Sequence, residues 1–261
     1  MTIKRIWVAS VGLLALPLVG LTSDVIPMDQ EPPHHLALQN EYVKVFNVLV
    51  SPGDLIVLHR HDRDTLAIAM GDQLVTVGVP GEPDVHQKNA DGQVRLQRSG
   101  YAHSTHVDGD TPYRTVAVEL MQPQANFHNL CGEVLAGQPL SCASEARSES
   151  QSEVGGLSSV GELASRKTDE PLIASDQTTV RLIRLASHES LNPAMNLGAS
   201  SSAALLLVAL DDVTMASSRK APGKVMQPGD FLWFEGGAAQ QIQNRSHIEV
   251  RLILFHFRRP Q

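Results

Sequence analysis

Asp54-Leu55-Ile56-Val57-Leu58-His59-Arg60-His61-Asp62-Arg63-Asp64-Thr65-Leu66-Ala67-Ile68-Ala69-Met70-Gly71 is the stretch on which the fold of this chain turns. Its first half reads as a strand running into two histidines, and its second half as a strand closed by Gly71. Successive side chains of a strand point to opposite faces, so His59 and His61 project to the same side. Two neutral imidazoles on one face, with the Asp64 carboxylate just beyond, form most of a divalent-metal site. Counted along the second strand, Asp64, Leu66, Ile68 and Met70 share a face, which turns the carboxylate inward. Val57, Leu66, Ile68 and Met70 are then expected to line an apolar pocket. A third imidazole is available at His103.

The same β pattern extends outward from this stretch, from Leu36 to Met121. Val43 to Val48 alternates, and Pro52-Gly53-Asp54 is a turn. Gln73 to Val77 follows the Gly71-Asp72 turn, and Gln93 to Leu96 and Tyr113 to Glu119 add two more strands. Short strands separated by turn residues indicate a sandwich or barrel. Between Pro123 and Asp169 the composition shifts, and Ser144 to Lys167 is rich in Ser, Glu and Gly, as linkers are. From Thr178 the β pattern resumes as a repeat of the first half. Val180–Leu185 parallels Val43–Val48, Ala203–Leu210 parallels Asp64–Met70, and Gln227–Trp233 parallels Asp91–Leu96. Val250–Phe255 parallels the strand ending at Glu119. An internal duplication accounts for this most simply.

These residues resemble the cupin superfamily. Its first motif runs Gly, five residues, His-x-His, three or four residues, Glu, six residues, Gly. Here Gly53, His59, His61, Asp64 and Gly71 stand in those places, with one residue fewer before the acid and Asp in place of Glu. Its second motif is matched by Gly100-Tyr101-Ala102-His103 without the motif's Pro and Asn. The resemblance implies an all-β chain of two tandem double-stranded β-helix (jelly-roll) barrels joined by a Ser-rich linker. The expected divisions are a signal peptide over 1–23, a first cupin domain over 30–123, a linker over 124–169 and a second cupin domain over 170–261. It also implies that His59, His61, His103 and Asp64 hold one metal, Asp64 binding weakly or through water because its side chain is short. His106 has the opposite strand parity to His103 and is expected outside the barrel. His34 and His35 lie in a Pro-containing lead and are expected to be solvated. In the second half the His-x-His positions fall near Met195 and Leu197, Ala204 takes the acid position and Gln240 replaces the third histidine, with Asn244 kept. That domain is expected to be metal-free and structural, helping to dimerise the chain or to cover the first barrel.

The ends and the charge bound the rest. Lys4 and Arg5 precede an apolar stretch, Ile6 to Leu21, which is short for a membrane span and is followed by small residues. This is the pattern of a secretory signal cleaved near Thr22 or Ser23, with an uncleaved anchor as the alternative. The folded part is therefore expected to be periplasmic or secreted. Two cysteines, Cys131 and Cys142, are expected to form one local disulfide there. The formal charge of −7, with no basic run beyond the N-terminus, argues against a broad nucleic-acid surface. Three imidazoles with open positions suit Fe, Mn, Co or Ni, and Zn if Asp64 stays off the metal. Two classes of function stay open. One is a metal-dependent oxidoreductase of dioxygenase type acting on a small organic molecule, and the other a non-catalytic metal- or ligand-binding protein of the cell envelope.

Overall fold

Turns at glycines of positive φ, Gly53 and Gly71 among them, separate strands too short to bury a face alone, and the strands close into two barrels. The computed structural model describes residues 25–130, 141–142, 169–191, 204–216, 223–235 and 242–259. In the first barrel the strands are β1 (Ile26–Pro27), β2 (His34–Gln39), β3 (Val43–Val50), β4 (Leu55–Arg60), β5 (Thr65–Ala69), β6 (Gln73–Gly78), β7 (Val85–Asn89), β8 (Val94–Gln97), β9 (Ala102–Val107) and β10 (Tyr113–Leu120). Two short strands follow, β11 (His128–Asn129) and β12 (Ser141–Cys142). The second barrel holds β13 (Asp169–Ala174), β14 (Thr178–Leu185), β15 (Ser190–Leu191), β16 (Ala204–Ala209), β17 (Val213–Ala216), β18 (Lys224–Met226), β19 (Phe231–Glu235), β20 (Ile242–Asn244) and β21 (Val250–Phe257).

The first barrel closes a sheet ordered β1-β4-β9-β6-β7 over one ordered β12-β8-β5-β10-β3-β2. In the second, β15-β20-β17-β18 lies over β11-β13-β14-β21-β16-β19. Strand for strand, β4-β9-β6-β7 and β8-β5-β10-β3-β2 have the same order as β15-β20-β17-β18 and β19-β16-β21-β14-β13. Single hydrogen bonds repeat as well. Ala69 exchanges backbone bonds with the Gly92–Gln93 turn as Ala209 does with Gly229–Asp230, and Met70 donates to Arg114 as Leu210 does to Arg251. The segment between the barrels contributes an edge strand to each, β12 beside β8 and β11 beside β13. Cys131, the rest of the Ser-rich stretch, the signal peptide expected over 1–23, and Met195, Leu197 and Gln240 lie outside the described residues.

The six-stranded sheets pack against each other, and the core between them joins the barrels. Val43, Val45, Leu66, Ile68, Met70, Val94, Leu96, Val116 and Val118 meet Leu172, Leu182, Leu206, Val208, Ile253 and Phe255 there. Leu66, Ile68 and Met70 therefore do not line a pocket around the histidines. The opposite parity of β5, carrying Thr65, Ala67 and Ala69, faces the barrel interior, because the outward face of this sheet is itself buried under the second barrel. A strand covered on both sides shows no polar face by which sequence could choose the register. Two arginines related by the repeated pattern tie the barrels further. Arg114 Nη2 donates to the Pro228 carbonyl at 3.1 Å, and Arg251 Nη2 bridges Asp91 and Asp211, each at 2.7 Å.

Candidate metal centre

The site begins with a fault in a strand. β4 pairs with β9 through Ile56↔Thr105 and then His59↔His103, three residues on one strand against two on the other. This β-bulge at Val57–Leu58 shifts the side-chain parity by one. In an unbroken strand His59 and His61 would share the outward face with Leu55 and Val57, which are 52% and 44% exposed. With the bulge, Ile56, His59 and His61 all turn inward, and each is about 2% exposed or less. Val57 therefore does not join the lining, contrary to the alternation of the sequence. His103 enters from β9, directly opposite His59.

Each ring is held by its Nδ1. His59 Nδ1 donates to the Val57 carbonyl at 2.9 Å. His61 Nδ1 lies 3.2 Å from Thr65 Oγ1, whose hydroxyl donates to the Arg63 carbonyl. Thr105 Oγ1 lies 3.3 Å from His103 Nδ1. Nδ1–H donated in each case leaves three Nε2 lone pairs, and one ring nitrogen from each residue lies within 4.8 Å of the others. His61 Nε2 and His103 Nε2 stand 3.0 Å apart, and His59 Nε2 is buried with no hydrogen-bond partner. Two bare lone pairs that close repel unless a proton or cation lies between them. Imidazole nitrogens sharing one ion at about 2.1 Å stand about 3.0–3.4 Å apart, so the residues fit a divalent transition metal.

The electrostatics agree. Burial holds His61 and His103 well below the usual imidazole value of 6.5, with neighbouring imidazoles adding to it. Burial lowers His59 too, partly offset by its bond to Val57. All three are thus neutral near pH 7, as metal ligands must be. Of the four expected ligands, the structure brings these three together and sends Asp64 elsewhere. Asp64 Oδ1 accepts from the Ser99 amide at 2.9 Å and lies 3.1 Å from Arg98 Nε. The carboxylate lines a cleft of about 250 Å³ with Arg63, Arg98, Gln122 and Gln124, a lining that includes none of the histidines. His106 sits outside the barrel as expected, bonded to Asp108.

Two residues at the site escape sequence reasoning. Glu31, 2% exposed, accepts the amide proton of bulged Val57 through Oε1 at 3.3 Å and holds His34 Nδ1 at 2.7 Å through Oε2. The His34 ring lies 5.0 Å from that of His59, so His34 is not solvated. The lead segment places it there: β1 runs parallel to β4 and β2 pairs with β3, which laces the two sheets together beside His59. Glu31-Pro32-Pro33-His34 carries no periodic pattern, and only the spacing of acid and imidazole hints at a pair. Gln97 Nε2 is 3.4 Å from His103 Nε2, and Tyr101 stacks on His103 at 4.8 Å.

The second barrel has the same frame with another filling. Leu205, Leu207, Leu232 and Phe234 occupy the register positions of Thr65, Ala67, Arg95 and Gln97. They pack with Ile183, Leu185, Leu252 and Leu254 in an apolar core. Ala204, at the acid position, is buried. Among the described residues, His59, His61 and His103 are the one group of three or more potential metal donors.

No family model matches the chain, and no curated protein does. Solved structures do. A cupin 2 conserved barrel domain protein from Leptotrichia buccalis superposes with a TM-score of 0.51 at 8% identity, over 85% of this chain and 87% of the other. The protein YhaK from Escherichia coli superposes with a TM-score of 0.51 at 13% identity, over 86% of this chain and 91% of the other. At such identities the likeness is one of fold.

Two outcomes follow from this geometry. Because the buried rings have folded pKa values below 6.5, the unfolded chain binds more protons between the two values. Stability present above pH 6.5 is therefore lost as pH falls from there toward the folded values. Thermal unfolding of metal-free protein from pH 8 to pH 5 is expected to show this, and a His61→Leu, His103→Leu variant to show a shallower slope. Equal slopes would contradict it. Glu31→Ala is expected to weaken metal binding about 10- to 100-fold, as loss of an orienting partner does, measured by competition with a chromophoric chelator. Unchanged affinity would remove Glu31 from the site.

Proposed function

We propose that this two-barrel cupin is an exported, mononuclear metal-dependent oxidoreductase of dioxygenase type acting on a small organic molecule. The observation that carries the proposal is the convergence of three buried, neutral imidazoles whose Nδ1 atoms have partners and which bring one ring nitrogen each within 4.8 Å of the others. His59, His61 and His103 would hold the ion. Three neutral nitrogen donors leave coordination positions open, which suits Fe, Mn, Co or Ni. Zn stays in the set, because Asp64 is engaged by Ser99 and Arg98. When bound, such an ion supplies Lewis acidity and, if redox-active, access to dioxygen chemistry.

The chain's own residues shape what can approach. Thr65, Ala67 and Ala69 present small side chains to the interior where the second barrel has Leu205 and Leu207. Gln97 and Tyr101 bring polar groups to the rim of the histidine cluster. Thr65 and Thr105 fix ring orientation, and burial of the imidazoles holds protons off them. The repeated strand order and turn bonds support descent of the two barrels from one duplicated domain. In that account the second barrel traded its ligands for a packed core and now covers the outer face of β5, β8 and β10. The signal-like pattern over 1–23 supports export, with the site in the periplasm or outside the cell.

Metal analysis of the purified protein beside a His59→Ala, His61→Ala variant tests the reading. About one transition-metal ion per chain is expected in the wild type and well under a tenth of that in the variant, since losing two of three ligands removes most of the affinity. Equal metal content in the two proteins would overturn it.

A further inference from the structure

The interior face of β8 carries a guanidinium with no ion-pair partner among the described residues. Val94 and Leu96 point into the core between the barrels, so Arg95 and Gln97 point the other way. Gln97 reaches His103, which sets the direction of that face toward the imidazoles. Arg95 is partly buried, and its positive field is felt at His61, His103 and Tyr101. Three carboxylates of the barrel have partners of their own, and Glu82, an exposed residue whose charge also reaches Tyr101, forms no ion pair with Arg95. Asp64 is held by Arg98 and Ser99, Glu31 by His34, and Glu119 lies 3.7 Å from Lys44. The Arg95 side chain makes no ion pair or hydrogen bond with any described residue.

A guanidinium drawn partly out of water without a counter-charge is costly, and it is retained where a ligand supplies the charge. The side chains that share its face on the neighbouring strand are small. Ala67 is the register partner of Arg95 on β5, and Ala69 continues the same small-residue face. At the same place in the second barrel Leu232 lies opposite Leu207, where a packed interior has no such charge. A guanidinium matches a carboxylate in planarity and in its paired donors.

We propose that Arg95 binds the carboxylate of a small organic acid and so sets the substrate class of the first barrel, with the rest of the molecule lying along Ala67 and Ala69 toward the three imidazoles. The assignment rests on the proposed metal site for its catalytic meaning but not for the binding itself.

The test is calorimetric titration of the purified protein with acetate, lactate and benzoate, each beside its neutral amide, and of the Arg95→Gln and Arg95→Lys variants. At least one acid is expected to bind about tenfold more tightly than its amide, the scale of a charge-assisted, bidentate contact. Arg95→Gln should abolish that preference without changing metal content, and Arg95→Lys should keep part of it. The inference is overturned if no acid outbinds its amide or if Arg95→Gln keeps the full preference. Repeating the titration on the His59→Ala, His61→Ala variant separates the two readings. An acid preference that persists there and still needs Arg95 stands whether or not the barrel holds metal.

Discussion

One extra residue in β4 decides which way the histidines face, and the rest of the site is arranged around holding it. A bulge leaves a peptide group out of the ladder, and a peptide group left unpaired in a protein interior is expensive. Here both backbone polar groups of Val57 are used. Its N–H is taken by the Glu31 carboxylate and its carbonyl by His59 Nδ1. The bulge therefore turns His59 inward and also fixes which of its nitrogens stays free. The lead segment supplies Glu31 because β1 and β2 cross from one sheet to the other at that corner.

The two barrels show what the frame needs and what the site needs. Both use the same strand order, the same turn bonds and the same outward faces, which meet in one apolar core. They part company on the inward face. Where the second barrel packs Leu205, Leu207, Leu232 and Phe234, the first holds Thr65, Ala67, Arg95 and Gln97. Swapping a leucine core for small and polar side chains gives up burial free energy, on the order of 2–3 kcal/mol for each large apolar side chain. Packing of the second barrel against the first offsets that loss, because it buries Leu66, Ile68 and Met70 on the far side of the same strand.

Much of this was legible in the chain before any coordinates. The strand alternation, the glycine turns and the repeat led to two β barrels, and the spacing of Gly53, His59, His61 and Gly71 singled out the strands that meet at the site. What could not be read has a physical cause in each case. The bulge is invisible because Leu55 to His61 alternates as well without it, and alternation alone puts Val57 on the wrong face. Leu66, Ile68 and Met70 read as pocket residues because a strand buried on both sides offers no polar face to fix its register. Asp64 shares their parity, which carries its carboxylate toward Ser99 and Arg98. Glu31 carries no signal in the sequence and His34 reads as solvated, because a contact between a proline-rich lead and a distant strand leaves no local pattern.

In the proposed centre three Nε2 atoms, and no carboxylate, hold one ion in the first barrel. X-ray absorption at the metal edge of the loaded protein tests it most directly. The account predicts about three nitrogen scatterers at roughly 2.0–2.1 Å with the outer-shell pattern of imidazole rings, a signal lost in the His59→Ala, His61→Ala variant. A shell of oxygen or sulfur alone, or an imidazole signal that survives in that variant, would contradict it.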